Sequence, residues 1–145
     1  MSSNITIPWI SYTKELSPYK RKLTKAFLYV KEFEEASDAL SDLEINAYPV
    51  ILIQDWPNKT SKLLPKSKDN YNPIDITCYI ISEIRRIKKH QATPIIVPHL
   101  ALKKEKEEYL KAGATTLVDI LTPSNSLEAL LNTIKITINT TKRNL

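Results

Sequence analysis

A single carboxylate follows the most hydrophobic short stretch of the chain. The segment PVILI, residues 49–53, is apolar throughout, and Gln54 and Asp55 come directly after it. A continuous apolar run of this length is typical of a strand buried on both faces of a parallel sheet. In open α/β sheets, ligands bind beside the carboxyl ends of the strands. Asp55 therefore stands where an active carboxylate is expected. The alternative is an ordinary charge at a solvated strand end.

The other residue types that commonly do chemistry are few. His90, His99 and the single Cys78 have no metal-ligand spacing, which argues against a zinc site. The one glycine of the chain, Gly113, argues against a Gly-rich phosphate loop and excludes a Gly-x-Ser-x-Gly nucleophile elbow. We expect the histidines to be solvated or hydrogen-bonded and Cys78 to be a small core or boundary residue. Trp9 and Trp56 are expected to be buried as large apolar side chains. Asp55 remains the principal candidate.

The elements that would position Asp55 alternate along the chain. Strands are predicted at residues 5–10, 26–33, 49–53, 93–98 and 115–121, and helices at 13–23, 34–45, 73–90, 102–113 and 126–138. Pro73 suits a first helical turn, Gly113 a helix C-cap and Ser126 a helix N-cap. Strands that alternate with helices predict an α/β fold, a doubly wound five-stranded parallel sheet in a three-layer sandwich. Its central strands contain Ile51, Ile53, Ile95 and Val97.

Length and composition indicate one globular domain. The 145 residues are 42% hydrophobic and 26% charged, which suits a single domain over 1–145 with its core in 5–138. No apolar run approaches the roughly 18–20 residues that cross a bilayer, and the start, MSSNITIPW, does not resemble a signal peptide. A lone cysteine excludes an internal disulfide and suits a reducing compartment. We therefore expect a cytoplasmic protein without membrane contact.

The net charge of +5 is spread over the chain without a basic block. Basic proteins attract nucleic acid through counterion release, but no pattern of alternating basic and aromatic residues and no recognition helix is present. Nucleic acid is therefore not the favoured partner.

Residues 56–73 interrupt the alternation of strands and helices. The stretch WPNKTSKLLPKSKDNYNP has three prolines and no periodicity, which predicts a long loop next to Asp55. Loops of this length in compact domains are usually functional or disordered. The open alternatives are a solvated spacer, and a loop that covers the strand ends or docks on an acidic partner.

Three stretches, in order and at suitable spacing, resemble the receiver domain of bacterial two-component response regulators. YPVILIQD, residues 48–55, resembles the third strand with its phosphoacceptor aspartate at Asp55. ATPIIV, residues 92–97, resembles the fourth strand, and YLKAGATTLVDILTP, residues 109–123, resembles the turn and fifth strand. The likeness covers about residues 5–138. It implies the flavodoxin-like (βα)5 receiver fold.

The resemblance fails at the other site positions of the family. Receivers hold Mg²⁺ with two acids after the first strand and the phosphoacceptor, and the ion offsets repulsion between carboxylate and phosphoryl group. Ser11 and Tyr12 occupy the acid positions, and His99 replaces a Ser/Thr. The family's Lys-Pro falls on Thr122-Pro123 in one of two alignments, and neither supplies a lysine. Only Asp55 is retained, which implies a degenerate pseudo-receiver without a metal or other cofactor.

The resemblance implies a non-enzymatic signalling module that binds a protein. The face made by the family's fourth helix, fifth strand and fifth helix matches residues 102–138, which we call the 102–138 face. It would bind a sensor kinase or a clock or other signalling protein, or a second copy in a homodimer. Because no output domain follows in the sequence, the domain is expected to act alone, by binding, or as a partner to another chain. The first alternative is a genuine phosphorelay receiver that binds Mg²⁺ and is phosphorylated on Asp55. The second is a nucleic-acid-binding domain or a small α/β enzyme.

Overall fold

The computed structural model describes residues 5–10, 21, 28–53, 73–99, 103–119 and 123–143. Its strands are β1 (Ile5–Ile10), β2 (Leu28–Phe33), β3 (Ile51–Ile53), β4 (Ile95–His99) and β5 (Thr116–Asp119). Its helices are α1 (Ala36–Ile45), α2 (Pro73–Arg86), α3 (Lys103–Ala112) and α4 (Pro123–Arg143), with a short 3₁₀ helix, η1 (Lys88–His90).

The five strands form one sheet in the order β2-β1-β3-β4-β5, and every neighbouring pair is parallel. β3 is central and β4 lies beside it, so the predicted parallel sheet and its central strands are confirmed. Parallel neighbours need crossover connections, which return each strand to the same edge of the sheet. All strands therefore end at one carboxyl edge and begin at one amino edge.

Both faces of the sheet are covered by apolar side chains. On one face Trp9, Leu52 and Ile96 pack in a cluster with residues of α4. On the other, Ile51 and Ile53 pack in a cluster with residues of α1, α2 and α3. Fully burying one such aliphatic side chain contributes about 1.5–3 kcal/mol. Because β3 is covered on both sides, its sequence is apolar at every position.

Several predicted helix boundaries are wrong, including the end of the last helix, which extends to Arg143 instead of residue 138. The predicted 73–90 helix ends at Arg86, because Ile87 has an extended backbone (φ −74°, ψ 121°) and η1 follows. Ser126 does not cap the last helix, which begins three residues earlier at Pro123. Proline is favoured in a first helical turn because it has no N–H to satisfy there. The predicted 56–73 loop lies outside the described residues, as does the predicted 13–23 helix apart from Arg21. None of the described helices combines the length and apolar character that a bilayer crossing needs.

The predicted C-cap at Gly113 is confirmed by the backbone. Gly113 follows α3 with φ +124°, and a Cβ atom there would lie 2.9 Å from the Cγ atom of Arg85. Side chains strain the backbone at such angles by about 1–3 kcal/mol. We therefore expect Gly113→Ala to lower the free energy of unfolding by about that amount in urea denaturation. Lys111→Ala, at an exposed position of α3, is the control. Equal stability of the two variants would contradict the strain argument.

Candidate functional site

The register of the sheet brings two of the predicted site segments to adjacent strand ends. Ile10 ends β1 and Ile53 ends β3, and the two are paired in register. Ser11 and Tyr12 follow Ile10 in the chain, and Asp55 comes two residues after Ile53. The strands that precede the acid-pair positions and Asp55 in the sequence therefore end at neighbouring points of the carboxyl edge.

The structure does not describe the side chains of the predicted site residues. Ser11, Tyr12, Asp55 and Thr122 are not among the described residues. His99 is the last residue of β4, and its backbone is paired with Asp119 of β5. Among the side chains that the structure describes, no group of three His, Cys, Asp or Glu residues could hold a metal ion. The expected lack of a tight Mg²⁺ site at Asp55 therefore stays a prediction.

The opposite, amino edge of the sheet carries a polar cluster that the sequence did not indicate. The carboxylate of Asp42 in α1 accepts hydrogen bonds from Lys31 Nζ of β2 at 2.8 Å and from Asn46 Nδ2 at 3.0 Å. The hydroxyl of Tyr48, in the segment that enters β3, donates to the other carboxylate oxygen. The carboxylate of Asp42 thus connects β2, the end of α1 and the segment that enters β3.

The cluster favours one protonation state. Burial opposes ionisation of Asp42, but the hydrogen bonds from Lys31, Tyr48 and Asn46 outweigh it and hold the pKa of Asp42 below its usual value. Burial, together with the hydrogen bond to Asp42, raises the pKa of Tyr48. The hydrogen bond to Asp42 also raises the pKa of Lys31. At neutral pH the cluster is a carboxylate, an ammonium and a neutral phenol.

This arrangement predicts a loss of stability in acid. Because the folded-state pKa of Asp42 lies below its unfolded value, the carboxylate stabilises the fold above about pH 4. That contribution is lost as the pH falls through the folded-state pKa. We expect Asp42→Asn to lower the free energy of unfolding by about 1–2 kcal/mol at neutral pH, and by less at about pH 2. Urea denaturation at both pH values checks this. A constant difference across that range would contradict the assigned pKa direction. Asp38→Asn, at an exposed position of the same helix, is the control.

His90 lies fully buried beside this cluster. Its Nδ1 is 2.9 Å from Thr93 Oγ1, and its Nε2 is 2.9 Å from the carbonyl oxygen of Asn46. Since a carbonyl oxygen only accepts, Nε2 carries the hydrogen. The ring also stacks on Tyr48, with the centroids 6.3 Å apart. The expectation of a hydrogen-bonded histidine is met, but its burial could not be anticipated from KKHQ. His90 is a structural residue that fixes the end of η1 to the segment after α1.

Arg85 donates hydrogen bonds to three backbone carbonyl groups. Its Nε and Nη2 donate to the carbonyl oxygen of Gly113 at 3.0 and 2.8 Å. Its Nη1 donates to the carbonyl oxygens of His90 and Thr93 at 2.9 and 2.6 Å. Burial lowers the pKa of Arg85, yet a guanidinium keeps its proton at neutral pH. Because its partners are backbone carbonyls, the fork of donors holds the fold and is not available for substrate.

Two sequence predictions about single residues are confirmed nearby. Cys78 is partly buried and packs against the cluster formed with α1, α2 and α3. Trp9 is 1% exposed and fills the opposite core, as expected of a large apolar side chain. Trp56, for which burial was also expected, lies outside the described residues.

Comparisons with solved structures identify the fold. The chain superposes on the chemotaxis response regulator CheY4 of Vibrio cholerae with a TM-score of 0.71 and 15% identity, covering 93% of this chain and 99% of that one. The receiver domain of the Francisella response regulator 1452 gives a TM-score of 0.67 at 21% identity, covering 95% and 99%. HP1043, an orphan response regulator of H. pylori, gives 0.67 at 14%, covering 94% and 99%. The chain has the receiver fold of the response regulators.

Sequence comparison adds one curated relative. The chain is 30% identical over 94 residues to a G-patch domain-containing protein of Schizosaccharomyces pombe. The match covers 63% of this chain, and the chain spans 13% of the length of that protein. No protein-family model matches the chain.

Proposed function

We propose that the chain is a receiver-fold signalling domain that acts by binding a protein partner, without magnesium-dependent phosphorylation of Asp55. The proposal rests on one combination: the sheet has the receiver topology, but the two positions where receivers have acids carry uncharged residues. Ile10 and Ile53 end adjacent strands, yet Ser11 and Tyr12 follow Ile10 where receivers have two acids. The domain is proposed to have no catalytic activity of its own.

The chemistry of phosphoryl transfer supports this proposal. An attacking carboxylate and a phosphoryl group repel each other, and Mg²⁺ normally offsets that repulsion. Mg²⁺ is a hard ion that binds oxygen ligands, typically one or two carboxylates. The hydroxyls of Ser11 and Tyr12 bring no formal charge, and no lysine is present among residues 120–123. Asp55 alone would therefore be a poor phosphoacceptor.

Exposed apolar side chains on the 102–138 face support a role in protein binding. Leu110 of α3 is 47% exposed and Ile136 of α4 is 65% exposed. The two helices flank β5, which is an edge strand of the sheet. The proposed partner is a sensor kinase or another signalling protein, and a second copy of the chain is the alternative occupant. The proposed setting is the cytoplasm, which suits the thiol of Cys78.

Partner capture from the native cell tests the proposal. We expect Leu110→Glu with Ile136→Glu to reduce recovery of a specific partner at least about tenfold, because charge in an apolar contact is costly. Ile45→Glu, at a 71% exposed apolar position of α1, is the matched control and should retain the partner. Recovery unchanged by the double variant, or lost equally in the control, would exclude the 102–138 face.

A further inference from the structure

An open groove crosses the amino edge of the sheet, opposite the carboxyl edge. It consists of two hollows that meet at Tyr48 and Pro49, with volumes of about 690 and 390 Å³. Tyr29, Lys31 and Ala47 help to line the larger hollow, and Lys88 and Lys89 the smaller. We call the two together the amino-edge groove. Small-molecule sites usually enclose most of their ligand. A groove that is open along its length fits an extended segment better.

The charge of the amino-edge groove has one sign. Lys31, Lys88 and Lys89 line it, and none of the described residues in its lining is acidic. Asp42 is not among the lining residues, but it pairs with Lys31, so Lys88 and Lys89 supply the positive charge of the groove that no described acid matches. The Nζ of Lys89 also donates to the carbonyl oxygen of Ile45. Lys88 is exposed to solvent. An acidic ligand is therefore the electrostatic complement of the groove.

Apolar surface accompanies these lysines. Tyr29 is 58% exposed at the larger hollow, and Ile5, Ala47, Pro49 and Pro94 also contribute to the lining. A ligand that carried charge alone would leave this surface in water. An aromatic or aliphatic side chain between acidic residues would cover it.

The wall between the two hollows is held in place before any ligand arrives. The Tyr48 hydroxyl donates to Asp42, and the Tyr48 ring stacks on the buried His90. A surface that needs no reordering loses less entropy on binding. The groove is thus built as a fixed surface.

We propose that the amino-edge groove binds an acidic protein segment that carries an aromatic or aliphatic anchor. This is a second interaction surface, separate from the 102–138 face and from the carboxyl edge of the sheet. A protein segment is favoured over RNA because the groove combines its lysines with apolar surface. The nearby Arg85 is engaged by backbone carbonyl groups and is not available to phosphates. The apolar lining has no counterpart on a phosphate backbone.

The test is an NMR titration of the ¹⁵N-labelled chain with the synthetic peptide acetyl-EELEEYEE-amide. We expect amide shifts concentrated at Tyr29, Ala47 and Lys88, which span the groove. Lys88→Glu should weaken binding at least about tenfold through charge reversal. Tyr29→Ser should weaken peptide binding at least about threefold, because it removes the exposed ring that lines the larger hollow. Lys135→Glu, the same charge change at an exposed position of α4, should leave affinity within about twofold.

Three results would overturn the proposal. The first is the absence of shifts at millimolar peptide. The second is equal weakening by Lys88→Glu and Lys135→Glu, which would show attraction by net charge alone. The third is that octauridylate shifts the groove amides while the peptide does not, which would assign the groove to RNA. Neither the 102–138 face nor Asp55 enters this titration, so its outcome is independent of the proposed function.

Discussion

Arg85→Ala is expected to lower the free energy of unfolding by about 3 kcal/mol, whereas Arg86→Ala should change it by less than about 0.5 kcal/mol. The two arginines are consecutive in α2 and carry the same charge, but their partners differ. Arg85 donates to the carbonyl oxygens of Gly113, His90 and Thr93. Arg86 has an 80% exposed side chain that pairs with Glu83 on the helix surface. Loss of Arg85 leaves three carbonyl groups without this donor, whereas loss of Arg86 removes only a surface ion pair.

Urea denaturation of both variants measures this difference, and a third variant separates charge from geometry. Arg85→Lys keeps the positive charge but cannot reproduce a fork that reaches three carbonyl groups. We expect it to retain less than about half of the stabilisation that Arg85 provides. If Arg85→Lys were as stable as the parent, simple charge and not the fork would hold these segments. If Arg85→Ala matched Arg86→Ala, the fork would contribute nothing.

His90→Ala is the second large effect, with an expected loss of about 2–4 kcal/mol. The substitution opens a cavity at a fully buried position and leaves the Asn46 carbonyl and the Thr93 hydroxyl without the imidazole. His90→Phe would fill the cavity without restoring the hydrogen bonds. We expect it to recover part of the loss and to remain at least about 1 kcal/mol less stable than the parent.

Gln91→Ala is the control for the His90 series, because Gln91 is the exposed neighbour of His90. Its expected change is within about 0.5 kcal/mol. Thermal and urea denaturation should rank the variants in the same order. A His90→Phe variant as stable as the parent would show that ring volume, and not the two hydrogen bonds, accounts for the role of His90.

The fold could be predicted from the sequence because its signals are local. PVILI is apolar at every position, and β3 is covered on both faces. Gly113 was predicted as a C-cap, and its φ of +124° requires a residue without a Cβ atom. The wrong helix start at Ser126 also has a local cause, because Pro123 is favoured in a first helical turn.

The roles of Arg85 and His90 could not be predicted because their partners are distant in sequence. SEIRRIKKHQ reads as the charged end of a solvated helix, and nothing in it distinguishes Arg85 from Arg86. Gly113 lies 28 residues from Arg85, and Asn46 lies 44 residues from His90. Lys31, Asp42 and Tyr48 likewise meet only in the folded chain. At the carboxyl edge, the register supports adjacent placement of the segments that precede Ser11 and Asp55, and the roles of those side chains stay predictions.

The central claim, a receiver fold without magnesium-assisted phosphorylation, is tested most directly by calorimetric titration with Mg²⁺ and with beryllofluoride, a phosphoryl mimic. A variant with both Ser11→Asp and Tyr12→Asp is the positive control, because it restores the two acids that receivers use for Mg²⁺. The parent chain is expected to bind neither reagent up to about 10 mM, and the control to gain Mg²⁺ binding. Sub-millimolar Mg²⁺ binding by the parent chain that Asp55→Asn abolishes would contradict the claim and establish Asp55 as part of a working phosphorylation site.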